Sequence, residues 1–253
     1  MNLKKISQKT FTFFFCLSLL AFNWTNAETP SSVKEDEKKG LNADGGVWGF
    51  KKSTQVDPRL PRVLLIGDSI SIGYKETVIQ ELQGKAIVDC FFTGLGLGAP
   101  EALKKEILKV LAQDSYAVIH FNDQGLHSWQ PERVVAGAYE PLFRDYIQTV
   151  IQNSKGAKLI WVNTTPLFTP TPRAALGPDN KTIDERNQMA SRVLSEIGIP
   201  IDDLYSLSVK NMALVRPGDT AHWSPEGKKL QGLQVAKIVL ETLNSASAIS
   251  KQP

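Results

Sequence analysis

The chain has 253 residues, 42% of them hydrophobic, with 29 basic and 26 acidic side chains, enough apolar content and length for one domain with a packed core. Its small positive charge comes from the first residues, where Lys4, Lys5 and Lys9 precede an apolar run over 11–22. Without those three lysines the remainder is balanced at 26 against 26, which argues against a charge-driven nucleic-acid or anionic-membrane partner.

Thr25-Asn26-Ala27 supplies small residues after the apolar run, so 1–27 reads as a secretory signal peptide removed on export to a periplasm or outside the cell. The run is shorter than the about 20 residues that span a bilayer, so no stable membrane insertion is expected after its removal. Cys16 follows Phe13-Phe14-Phe15 rather than small residues and is no lipidation signal. Cys90 is then the lone cysteine, so stability must come from packing rather than from an internal disulfide.

Residues 28–60 are polar, with the charge run Lys34-Glu35-Asp36-Glu37-Lys38-Lys39 and the pair Gly45-Gly46, and predict a flexible linker. Trp48 and Phe50, its only aromatic side chains, are the exception, either docked onto the domain or simply exposed. A single domain is expected over 61–245, followed by a disordered tail over 246–253.

Within the domain, short apolar runs predict buried strands at 63–66, 86–92, 116–121, 158–162 and 199–201. Amphipathic stretches predict helices at 71–82, 100–111, 138–152, 183–197 and 225–243. Ser224-Pro225 opens the last of these with a capping serine and a proline at the first helical position. Strict alternation of strand and helix implies a parallel sheet of about five strands covered on both faces, an α/β fold in three layers. Ligands of such sheets bind at the carboxyl ends of the strands.

Those strand ends carry the residues with chemistry. Ser69 follows the first strand, within Gly67-Asp68-Ser69-Ile70, where the free backbone NH groups of a helix start favour an anion. The second strand is followed by Thr93-Gly94-Leu95-Gly96-Leu97-Gly98, and the third by Asn122-Asp123. This glycine run lacks the Lys-Ser/Thr ending of a phosphate loop. The Asn122 amide can donate to a developing oxyanion, with the Ser69 backbone NH as a second donor and a glycine NH as a third. Gly98 lies nearest the helix start, but Gly94 and Gly96 are alternatives.

Near the far end, Asp219 and His222 sit three residues apart, so one turn can carry both members of a base and orienter pair. A serine hydroxyl needs an imidazole to take its proton, and the imidazole needs a carboxylate to fix its tautomer. Of three histidines, only His222 has an acid at this spacing; His120 falls in a strand and His127 in a loop. Asp123 and Asp219 with these histidines could form a metal site, but the His-Glu-x-x-His helix is missing. No Gly-x-Ser-x-Gly elbow surrounds Ser69.

Gly67-Asp68-Ser69, the glycine loop, Asn122-Asp123 and Asp219-x-x-His222 together resemble the four blocks of the SGNH (GDSL) hydrolase superfamily, over about 62–243. The resemblance implies a flavodoxin-like three-layer fold and a serine esterase that needs no cofactor or metal. It makes Ser69 the nucleophile and first oxyanion donor, with Asn122 and Gly98 (or Gly94 or Gly96) completing the hole. His222 is then the base and Asp219 its orienter. His120 stands where the family's third block opens with glycine, and the second block is matched only loosely.

The loop over 164–182 is proline-rich and long enough to be a binding element. Phe168, Arg173, Trp129 and Trp223 are expected to line an amphipathic cleft, and His127, Trp129 and Trp223 to touch substrate. An exported, near-neutral protein of this kind is expected to release a short acyl group, acetate foremost, from a small-molecule or polysaccharide ester. An acyltransferase, a lysophospholipase-like lipid esterase and a catalytically silent carbohydrate-binding protein are the alternatives.

Overall fold

The computed structural model of the protein describes residues 48–170 and 175–249. Its frame is a six-stranded sheet in the order β1-β3-β2-β4-β5-β6. The central strand β2 (Arg62–Gly67) runs parallel to β3 (Ile87–Phe92) on one side and to β4 (Val118–Phe121) on the other. The sheet continues in parallel through β5 (Lys158–Val162) and β6 (Ile201–Asp202), while β1 (Gly49–Lys51) pairs antiparallel with the outer edge of β3. The helices are α1 (Ser69–Glu81), α2 (Pro100–Leu111), α3 (Gly125–Ser128), α4 (Tyr139–Asn153), α5 (Asn180–Ile197), α6 (Leu204–Lys210) and α7 (Pro225–Ile249), with a 3-10 turn at Met212–Leu214.

The three layers follow from the period of a strand. Successive residues of β2 point to opposite faces. Val63 and Leu65 enter a core with Tyr74 and Val78 of α1 and Val235 and Val239 of α7. Leu64 and Ile66 enter a second core with Ile107 of α2, Phe143 of α4 and Leu194 of α5. All four β2 side chains are at 0% exposure, so each contributes about 1.5–3 kcal/mol by leaving water. In the second core Trp161 stands edge-on to Phe121 and Phe143, with ring centroids 5.5 and 4.9 Å apart.

The chain leaves β2 for β3 on one side, then crosses back to β4 on the other. That reversal opens a crevice at the carboxyl ends of β2 and β4, the place where parallel α/β sheets bind ligands. Ser69 and Asn122 follow these two strands.

Several expectations need correction. The polar segment expected as a flexible linker over 28–60 supplies β1: Gly49, Phe50 and Lys51 pair with Phe92, Phe91 and Cys90, and Trp48 and Phe50 pack against the two cores. Ser53 NH also donates to the buried Asp89 carboxylate at 2.8 Å, fixing this segment beside the sheet. At the other end α7 continues through Ile249, past the start of the expected tail at 246. The signal peptide over 1–27, the linker residues 28–47 and the last residues 250–253 lie outside the described residues. No helix among the described residues is long and apolar enough to cross a membrane.

Candidate active site

The position of Ser69 is set by the helix that follows it. Asp68, nearly fully buried, caps α1 by accepting a hydrogen bond from Ile70 NH at 2.9 Å. Ser69 thereby becomes the first residue of the helix, where backbone NH groups have no intrahelical acceptor.

Opposite Ser69, residues 215–223 fold into a turn. Val215 and Trp223 form an antiparallel bridge, and Arg216 NH donates to the His222 carbonyl at 2.8 Å. Trp223, 2% exposed, packs with Phe168 and Val215 beneath the turn. Ser224 hydroxyl then accepts from Gly227 NH at 3.3 Å and starts α7.

This turn places His222 Nε2 2.9 Å from Ser69 Oγ, although the two residues are 153 positions apart in sequence. The other ring nitrogen, Nδ1, lies 3.1 and 3.2 Å from the two carboxylate oxygens of Asp219. Asp219 also accepts from the NH groups of Ala221 at 2.9 Å and His222 at 3.0 Å, and from Arg216 Nη2 at 2.5 Å. Burial alone would raise the Asp219 pKa, but those NH groups, the His222 ring and Arg216 outweigh it and hold the carboxyl well below the usual range. Asp219 is therefore an anion facing the imidazole, and a hydroxyl, an imidazole and a carboxylate stand in the order that nucleophilic catalysis needs.

Asn122 is anchored at the end of β4. Its carbonyl accepts from Tyr146 hydroxyl at 2.7 Å, and its side-chain Oδ1 accepts from Gln124 NH at 2.9 Å. The amide oxygen is thus committed to the turn, and the NH2 end is the part left to act as a donor. Next to it, Asp123 is fully buried against Tyr139 hydroxyl at 2.8 Å. Burial pushes its pKa up to about 7, against the lowering effect of that hydroxyl.

The three glycines separate by position. Gly67 pairs with Phe92 and its carbonyl accepts from Thr93 NH at 3.1 Å, so Gly94 lies two residues past β3 as Ser69 lies two residues past β2. Gly94 also faces the His127 ring, 3.7 Å from where a β-carbon would stand. Gly98 instead backs onto Arg133, whose carbonyl oxygen is 2.8 Å from the corresponding point. Of the three alternatives, Gly94 is thus the glycine level with Ser69, while Gly98, nearest to α2, packs against Arg133.

Trp223 and Trp129, expected at the substrate, are buried at 2% and 8% exposure. Both are packing residues: an apolar ring of that size gains more from the core than from the surface. Phe168 is likewise buried, and Arg173 lies outside the described residues. His127 remains half-buried beside Gly94. His120 belongs to the core, with Nε2 3.0 Å from Asp202 Oδ2 and its ring edge-on to Tyr74.

Sequence reasoning missed Arg216, whose contact with Asp219 spans one turn, and Asn180, which closes the base of the long loop. Asn180 accepts from Leu167 NH at 2.9 Å and donates to the carbonyls of Leu167 and Gly177. A lone arginine three residues before an aspartate was the available signal for the first. A loop asparagine at a helix start gave none for the second.

No protein-family model matches the chain, and no curated protein sequence matches it. Solved structures do. The lipase/acylhydrolase from Enterococcus faecalis is 20% identical with a TM-score of 0.54, over 71% of this chain and 95% of that one. The GDSL-like lipase from Bacteroides thetaiotaomicron is 16% identical with a TM-score of 0.53, over 74% and 92%. Axe2, an acetylxylan esterase from Geobacillus stearothermophilus, is 18% identical with a TM-score of 0.52, over 72% and 94%. With the parallel sheet order described above, these likenesses show that the chain has the fold of the SGNH (GDSL) hydrolase superfamily.

Proposed function

We propose that the protein is a serine esterase that cleaves short-chain acyl esters through an acyl-enzyme on Ser69. The observation that carries this reading is the 2.9 Å contact between Ser69 Oγ and His222 Nε2, with Asp219 behind the ring. His222 takes the hydroxyl proton as Ser69 attacks the ester carbonyl, and the imidazolium is stabilised by the Asp219 anion. The oxyanion is held by the Ser69 NH, the Gly94 NH and the Asn122 amide. Protonated His222 gives its proton to the departing alcohol, and water repeats the sequence to release the acid and free the serine.

An acylated carbohydrate is the substrate class we favour. The charge-balanced mature chain and its expected export support it, as does the likeness of fold to acetylxylan esterases. A fluorophosphonate probe tests the reading directly, because only an activated hydroxyl reacts with it. Labelling confined to Ser69, lost in Ser69→Ala, is the expected result, together with release of acetate from acetylated sugars. An unlabelled wild-type protein that turns over no ester overturns the proposal.

A further inference from the structure

The two loops that reach the crevice from β3 and β4 are joined through one buried hydroxyl. Ser128, at the end of α3 and 1% exposed, accepts from Leu97 NH at 2.8 Å and donates to the Asp123 carbonyl. One side of the hydroxyl therefore holds the glycine loop, and the other holds the turn that carries Asn122. The contact is close on every side: a β-carbon at Gly96 would stand 2.5 Å from Ser128 Oγ and 2.8 Å from the His127 carbonyl group. A side chain at 96 would collide with α3, whose N-terminal neighbour Gln124 has a left-handed backbone at φ 64°.

We infer that Ser128 is a positioning residue that sets the distance between the oxyanion donors of the β3 loop and the Asn122 amide. This inference rests on the esterase reading. An oxyanion hole works because its donors are fixed before charge develops, so loosening their spacing costs transition-state binding and leaves substrate binding in place. Ser128 itself touches no reacting atom. Its hydroxyl lies one peptide from Asn122 on one side and three residues from Gly94 on the other. In a densely packed site a shift of about 1 Å in such supports costs about 100-fold in rate.

The test compares Ser128→Ala and Gly96→Ala with wild type on p-nitrophenyl acetate, with circular dichroism to establish folding. The expected result for both is a kcat lowered by about 10- to 100-fold with KM within about twofold of wild type. An unchanged kcat in folded Ser128→Ala, or a defect confined to KM, overturns the inference while leaving the esterase reading intact. Should Ser128→Ala not fold, Gly96→Ala decides the matter by the same criteria. A wild-type protein with neither turnover nor fluorophosphonate labelling removes both the esterase reading and the role given to Ser128.

Discussion

Trp223 fills the space that a side chain on Gly227 would need: a β-carbon there would lie 2.3 Å from the indole Cε3 and 2.9 Å from the Leu214 carbonyl oxygen. The indole is the neighbour of His222 in sequence and the floor of its turn, so the first turn of α7 and the His222 imidazole share one support. Gly227→Ala must displace either the ring or the backbone of the 3-10 turn. We expect a lower thermal midpoint and a fall in kcat together. Trp223→Ala should cost about 3–5 kcal/mol in urea unfolding, with activity reduced even at temperatures where the chain is fully folded.

Asn122→Asp separates two roles of one side chain. An oxygen remains to accept from Gln124 NH, but the donor facing the crevice becomes a carboxylate oxygen. Steady-state kinetics should show kcat reduced by about 100- to 1000-fold with little change in KM. A defect in KM alone would take Asn122 out of the oxyanion hole.

Asp219→Asn keeps the shape of the turn but presents a neutral amide to His222. The imidazole then loses the anion that fixes its tautomer and supports its protonated form, and kcat should drop by about 10⁴-fold. Arg216→Gln removes a partner of the same carboxylate from the solvent side, where Arg216 is 58% exposed, so its effect should be a few-fold at most. Measured side by side, the two variants rank the neighbours of Asp219.

Asp123 gives a dependence on pH that is opposite to that of an ordinary paired carboxylate. Between about 4 and about 7 the folded chain holds a proton on Asp123 that the unfolded chain has released. Stability contributed by this group is therefore full at the acid end and declines as pH rises through that window, by an amount on the order of a few kcal/mol. Urea unfolding of wild type and Asp123→Asn across the window should show a steeper decline for wild type. Parallel curves would mean that Asp123 is ionised in the folded protein.

Much of the frame was legible in the sequence because β2, β3, β4 and most of β5 are buried and read as predominantly apolar runs, broken by Asp89 in β3, His120 in β4 and Lys158 at the start of β5. The Asp-x-x-His spacing was equally plain, since both partners lie within one turn. What the sequence hid were features set by tertiary contact. Gly49–Lys51 has the composition of a loop, and it becomes a strand only because β3 offers a free edge. Leu204–Lys210 and Met212–Leu214 are too short for their periodicity to stand out. Trp129 and Trp223 read as surface aromatics beside functional residues, and only packing reveals them as supports. Gly98 adjoins a helix start, but the register of β2 with β3 decides which glycine lies level with Ser69.

The short antiparallel strand at Gly49–Lys51 has a consequence for how the protein stays in solution. It covers the outer backbone groups of β3, a strand whose six residues are all buried. A chain begun at Arg62 would lay that row of amides and carbonyls bare, an invitation to pair with another molecule. Loss of the segment that carries this strand should therefore be seen first as turbidity, before any change in esterase activity.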